Sequence, residues 1–162
     1  MPRSKRVRDV MSSPVATVKP TATVADAARV MVEQRLGSVV VVPDEDGGKP
    51  VGIVTETDFE VSDDPIPFTF FKWPAVLGKF VWSEESMEEL YEKARSRSIE
   101  SVMSAPVVTV GADDELFAAV EKMMKHEVNR LPVLEGGRLV GIVSRHDLLK
   151  CLLDEWTEPA GA

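Results

Sequence analysis

The chain has 162 residues, 44% hydrophobic and 28% charged, which suits one compact domain or two small halves sharing a core. No apolar run approaches the roughly 18–20 residues a membrane helix needs, and the basic start MPRSKRVRDV lacks the apolar stretch of a secretory signal. A formal net charge of −8 argues against general nucleic-acid binding.

In chain order, Arg3, Lys5, Arg6 and Arg8 make a local basic cluster, which reads as a solvated arm. An extended segment follows, VRDVMSSPVATV at Val7–Val18. Val24, Ala27, Ala28 and Met31 then keep i, i+3, i+4, i+7 spacing, so an amphipathic helix is predicted, capped by Thr21 or Thr23. A strand is expected at Ser38–Val42, then the hairpin turn DEDGGK, then a return strand at Val51–Val54. Asp44–Asp46 within that turn could bind a cation, but the commoner role of such acids is a solvated turn. A short helix is expected to start at Asp58.

The next segment, Ser62–Ser98, breaks the pattern. Its first part carries three prolines and Phe68, Phe70, Phe71, Trp73, Phe80 and Trp82, an aromatic density unlike that of a disordered linker. Its second part reads as a helix capped at Ser83 with an apolar stripe of Met87, Leu90, Tyr91 and Ala94. The aromatics would serve as core, as an oligomer interface or as a docking surface for a partner.

After it the first pattern returns. IESVMSAPVVTV at Ile99–Val110 aligns with Val7–Val18, with Met11 and Met103 92 positions apart. Leu116, Ala119, Val120 and Met123 repeat the helical stripe, and Asp113 or Asp114 would cap it. Strands are predicted at Leu131–Leu134 and Leu139–Val143 around the turn EGG, with a helix from Asp147. The shorter turn brings the offset down to 89 between Gly52 and Gly141. Cys151 is the only cysteine and lies in the apolar run LLKCLL, so a buried structural thiol is expected, in keeping with a reducing cytoplasm.

Each half therefore reads as β-α-β-β-α, the chain as α+β. A unit of some fifty-odd residues is marginal alone, so the two are expected to pack sheet on sheet about a pseudo-twofold axis. The boundaries are 1–61 for the first repeat with its arm, 62–98 for the insertion, 99–155 for the second repeat and 156–162 for a tail.

The most similar stretches are VGIVTETD at Val51–Asp58 and VGIVSRHD at Val140–Asp147. Gly52 and Gly141 leave room for close backbone approach, by a ligand on the functional reading. Thr55 and Ser144 stand where a strand gives way to a helix, and Asp58 and Asp147 could accept two hydrogen bonds from a ribose diol. The alternative is that the hydroxyls are helix caps and the acids only first-turn residues. The copies differ in charge: Glu56 stands where the second copy has Arg145 followed by His146, and Gly37-Ser38 where it has Asn129-Arg130. A carboxylate repels phosphate, whereas Arg grips it; Arg130 and Arg145 could equally pair with surface acids.

Val-Met-x-x-Pro-Val-x-Thr-Val, a helix, an apolar hairpin and Gly-Ile-Val-[Thr/Ser]-x-x-Asp, in that order and twice, resemble the CBS domain, named after cystathionine β-synthase. The likeness covers residues 7–61 and 99–153, the tandem arrangement called a Bateman module. A related insertion occurs in some free-standing bacterial members. The resemblance implies AMP, ADP, ATP or S-adenosylmethionine bound between the repeats, with adenine-nucleotide (energy) sensing as the role and a homodimer as the assembly. Combined with the charge difference between the copies, it gives a stronger cleft formed by Thr109, Arg130, Leu131, Pro132, Ser144, Arg145 and Asp147, and a weaker one formed by Thr17, Val39, Val40, Thr55 and Asp58. Thr17 and Thr109 would line the base pockets.

No G-x-x-x-x-G-K-[ST] loop, paired-metal spacing or catalytic triad stands out, and His126 and His146 are the only histidines, the former expected to face solvent. The expected function is a cytoplasmic, non-catalytic regulatory module without cofactor or metal, its ligand an adenosine nucleotide. No appended output domain is recognised, so signalling would pass to a separate effector protein. The alternative is a structural dimerisation or docking adaptor with degenerate ligand sites.

Overall fold

The computed structural model describes residues 5–43, 48–59, 92 and 95–157. Asp44–Asp46 and the aromatic part of the insertion lie outside these residues, as do Ser83 and the apolar stripe from Met87 to Ala94. Glu92 and Arg95 are helical and form an ion pair at 3.1 Å.

The fold is α+β. The strands are β1 (Thr17–Val18), β2 (Ser38–Val41), β3 (Gly52–Thr55), β4 (Val110–Gly111), β5 (Arg130–Glu135) and β6 (Arg138–Ser144). Apart from the helical residues Glu92 and Arg95, the described α-helices are α1 (Val24–Gln34), α2 (Leu116–His126) and α3 (Arg145–Thr157). Short 3-10 turns occupy Val7–Asp9, Glu56–Phe59 and Ile99–Ser101. Each half holds a three-stranded sheet, ordered β1-β2-β3 or β4-β5-β6, in which the first pair is parallel and the second antiparallel. The parallel pair follows from the chain path, because an amphipathic helix stands between its two strands and returns the chain to the same end.

The chain divides into two compact units that do not follow the sequence repeats. One comprises residues 16–43 and 51–105, the other 1–15, 44–50 and 106–162. Each repeat's leading segment thus belongs to the unit built on the other repeat, and the bonding is equivalent in both. Val7 N–H donates to the Asp114 carbonyl at 3.0 Å, and Ile99 N–H to the Ala22 carbonyl at 2.8 Å. Arg6 bridges Glu115 and Ser12 bridges Ile142, while Ser98 bridges Thr23 and Ser104 bridges Ile53. Val7 is buried in a core with Val110, Leu116, Met123, Leu131 and Val143. Ile99 is buried in the other, with Val24, Met31, Val39, Val41 and Val54.

This exchange corrects two expectations. The basic arm is not loosely solvated at residues 5–8: Arg6 Nη1 donates to the Asp113 carbonyl at 2.7 Å, and Arg8 pairs with Asp113 at 2.8 Å and Glu135 at 2.7 Å. Those bonds raise the already high Arg8 pKa, Glu135 contributing most and Asp113 next. The arm is held because Val7 has an apolar core to enter. Gly52 and Gly141, for their part, give their space to methionines of the leading segments rather than to a ligand. A Cβ on Gly52 would overlap Met103 Sδ, and one on Gly141 would overlap Met11 Sδ.

The helix starts also differ between copies. Thr23 caps α1: its Oγ1 accepts from Asp26 N–H at 3.2 Å and Asp26 Oδ2 accepts from Thr23 N–H at 3.0 Å, a reciprocal box. The Thr23 N–H, and second to it the Thr23 hydroxyl donating to the same carboxylate oxygen at 2.8 Å, hold the Asp26 carboxyl below its ordinary value, with Arg29 adding to the effect. At α2 the cap position is Glu115, whose side chain makes no capping bond. Neither Asp113 nor Asp114 caps it. Asp114 instead accepts Gly111 N–H at 2.9 Å, and Asp113 faces Arg8. Cys151 is buried as expected, with Lys5 Nζ 3.5 Å from its sulfur, and His126 is exposed.

Candidate functional site

Each Gly-Ile-Val-[Thr/Ser]-x-x-Asp stretch is a return strand running into a helical turn. The turns begin at Glu56 and Arg145, two residues before the aspartates at which helices were expected. The shift has a hydrogen-bond cause: the aspartate reaches back to tie the end of the strand, so the turn must already have begun. Ser144 N–H donates to Asp147 Oδ2 at 2.8 Å, Ser144 Oγ donates to the same oxygen at 2.6 Å, and Asp147 N–H donates to Ser144 Oγ at 3.3 Å. Thr55 N–H and Oγ1 reach Asp58 Oδ2 at 2.7 and 3.2 Å, and Thr55 Oγ1 shares a further bond with Thr57 Oγ1 at 2.7 Å. The capping alternative is therefore realised at Ser144, whose Oγ accepts the Asp147 N–H; at Thr55 the bonds run the other way, from its N–H and hydroxyl to Asp58.

Backbone pairing places the distinguishing charges. Arg130 pairs in register with Ser144 across β5–β6, and Ser38 occupies the equivalent place opposite Thr55 across β2–β3. Arg145 N–H donates to the Asn129 carbonyl at 3.0 Å, and Glu56 N–H to the Gly37 carbonyl at 3.2 Å. In the 106–157 unit this brings together Arg130, Ser144, Arg145 and Asp147. Arg145 and His146 are exposed, and Arg130 and Asp147 half-buried. Among the described residues neither the Arg130 nor the Arg145 side chain has an ion pair or hydrogen bond. Two guanidinium groups and the start of a thirteen-residue helix give this turn a positive field suited to an anion.

The remaining expected residues are placed less uniformly. Pro132 is buried on β5, and Leu131 is fully buried within the core of its unit. Thr109 immediately precedes β4, and its carbonyl accepts Lys122 Nζ at 2.9 Å. In the other unit Thr17 is exposed and pairs with Val40, which is buried, while Val39 lies inside the core. Two polar residues at these sites were not singled out from the sequence. Lys122 lies within α2 at a position where α1 has Val30. Ser104 Oγ stands 3.5 Å from Asp58 Oδ1, a contact between residues 46 positions apart that no local pattern announces.

Among the described residues there is no group of three or more His, Cys, Asp or Glu placed to hold a metal ion. No described helix is long and apolar enough to cross a membrane.

Comparison with known proteins agrees with this architecture. The family model of the CBS domain matches residues 7–59 and 99–154. An uncharacterised protein of Methanopyrus kandleri is 32% identical over 149 residues, a match covering 91% of this chain and 63% of that protein. The chain therefore spans less than two thirds of that relative. The CBS domain of a CBS domain-containing membrane protein from Sphaerobacter thermophilus shares the fold with a TM-score of 0.70 and 37% identity, over 91% of this chain and 88% of that one. CBSX2, determined in complex with AMP, shares it with a TM-score of 0.65 at 22% identity, over 94% and 99%. Two copies of the matched domain, in the order and with the strand pairing described above, place this chain in the CBS domain family as a tandem CBS pair.

Proposed function

We propose that the chain is a non-catalytic regulatory module that binds a phosphorylated adenosine ligand chiefly at the Ser144-Arg145-His146-Asp147 turn and passes the signal to a separate protein. The observation that carries this reading is the register pair Arg130–Ser144 with Arg145 next in sequence. Two cations with no ion pair among the described residues flank a helix start that also presents a carboxylate. A phosphate would take the cations and a ribose diol the carboxylate. The structure of CBSX2 with AMP supports adenosine as the ligand class, through likeness of fold. Thr109 and Pro132 would contribute the wall on which the base rests, with the fully buried Leu131 backing it from the core. Thr17, Val39, Val40, Thr55 and Asp58 form the weaker counterpart, where Glu56 opposes phosphate. The reading includes a homodimer in the cytoplasm, with Val32 and Met124, exposed at equivalent positions of α1 and α2, available for contact between copies.

Isothermal titration with AMP, ATP and S-adenosylmethionine tests the reading. Asp147→Ala and Arg145→Ala are expected to weaken AMP binding at least ten-fold, as loss of a charge-assisted hydrogen bond does, and Asp58→Ala to weaken it less. Equal losses at Asp147 and Asp58 would remove the asymmetry. No heat and no melting shift with any of the three ligands would remove nucleotide binding. A second reading, a structural adaptor with degenerate sites, is favoured by one observation: both aspartates already satisfy their own helix starts. Retained capture of a partner without any nucleotide-induced melting shift would select it.

A further inference from the structure

The two aspartates differ in a way that deepens the reading above and rests on it. Asp58 Oδ2 accepts the Thr55 N–H and hydroxyl, and Asp58 Oδ1 faces Ser104 Oγ at 3.5 Å. Asp147 Oδ2 accepts the Ser144 N–H and hydroxyl, but the residue equivalent to Ser104 does not complete the set. That residue is Ser12, 92 positions earlier. Its backbone makes the same two-way bridge, to Ile142 at 2.9 and 3.0 Å, as Ser104 makes to Ile53 at 2.9 and 3.2 Å. The Ser12 side chain is exposed, and the hydroxyl that bonds β6 there is that of Ser13, to the Val140 carbonyl at 2.9 Å. Asp147 Oδ1 is thus left without a hydrogen-bond donor among the described residues.

We infer that Ser104 is a specificity-determining residue: its hydroxyl stands beside the outer oxygen of Asp58 and competes there with the hydroxyl of an incoming sugar, while Asp147 keeps that oxygen available. A diol bridging a carboxylate needs both oxygens or two lone pairs on one. At Asp58 the inner oxygen is taken by the strand end, and the Ser104 hydroxyl stands 3.5 Å from the outer one, a long contact within which a sugar hydroxyl would have to compete. At Asp147 it meets no such donor among the described residues. The two sites therefore differ in the sugar half of the ligand as well as in the phosphate half. The sugar term depends on a residue of the leading segment, outside the repeated eight-residue motif.

The test compares the intact protein with Ser104→Ala and, as the matched control, Ser12→Ala. Adenosine, which has no phosphate, and AMP are titrated calorimetrically, and amide hydrogen exchange is followed at residues 55–59 and 144–148. Removing the Ser104 hydroxyl is expected to tighten adenosine binding at the Asp58 site about two- to five-fold, the low end of what one hydrogen bond supplies. It should also speed exchange at residues 55–59 by a similar factor. Ser12→Ala is expected to change neither. Unchanged or weaker adenosine binding in Ser104→Ala, beside intact AMP binding at the Asp147 turn, would overturn this inference and leave the proposed function standing. No binding of either compound to any variant would overturn both.

Discussion

In one unit the strand-to-turn junction is Thr55-Glu56-Thr57-Asp58 opposite Ser38; in the other it is Ser144-Arg145-His146-Asp147 opposite Arg130. The backbone bonds are the same, down to the N–H of the second residue reaching the carbonyl two places before the facing valine or leucine. The difference teaches that the fold is carried by the hydroxyl, the aspartate and the buried strand residues, while the two intervening side chains point to solvent and are free to vary in charge. Charge is accordingly where the two sites diverge. The helix entries make the same contrast in stability: α1 has a reciprocal cap and α2 has none.

The sharpest way to break the comparison is through the exchanged segments. Val7→Ala and Ile99→Ala remove fully buried side chains, and each is expected to cost about 2–4 kcal/mol in denaturant unfolding. Hydrogen exchange should place the Val7→Ala loss in residues 106–157, not in the repeat to which Val7 belongs. Loss confined to residues 16–59 would contradict the exchange. Next, Gly141→Ala is expected to cost about 1–3 kcal/mol and more than Gly52→Ala. At Gly141 the new methyl lies 3.2 Å from the Ser12 backbone oxygen as well as against Met11, whereas at Gly52 its three nearest atoms all belong to the flexible Met103 side chain.

Smaller effects sharpen the helix comparison. Thr23→Ala should destabilise by about 1 kcal/mol, and the double change Glu115→Thr with Ala118→Asp, which writes the missing box into α2, should recover a similar amount. Asp26 adds a pH dependence. Its folded pKa lies below the ordinary 3.8, so its contribution is complete above that value and is lost as pH falls through the lower folded one. Asp26→Asn should flatten this acid limb in pH-dependent melting, with no matching limb expected from Ala118. Smallest of all, Arg8→Ala removes exposed ion pairs to Asp113 and Glu135 and should cost under about 1 kcal/mol, less again in high salt.

Much of this was legible in the residues themselves. The 3.6-residue stripe marked α1 and α2 because one face of each is buried, and β-branched runs marked the hairpins because they pack on both faces. The TETD and SRHD contrast was legible because charge is a property of the side chain alone. Thr21 and Thr23 were both legible as hydroxyl caps for α1, and the fold selects Thr23. Asp113 and Asp114 misled because a short acid before an apolar stripe looks the same whether it caps the helix or ties a neighbouring loop. Only the fold directs Asp114 to Gly111 and Asp113 to Arg8. Ser104 carried no local signal, since its partner Asp58 is 46 residues away.

By itself, the sequence determined two copies of one α+β unit and the difference in charge between their turns. What tertiary structure decided is which leading segment serves which unit. Val7–Pro14 and Ile99–Pro106 are similar enough that each could enter either core: both offer a β-branched residue to bury and a methionine to seat on glycine. Local pattern is blind to that choice, because the competing contacts are chemically alike. The path of the connected chain resolves it, and with it which glycine each methionine covers and which aspartate has a serine hydroxyl beside it.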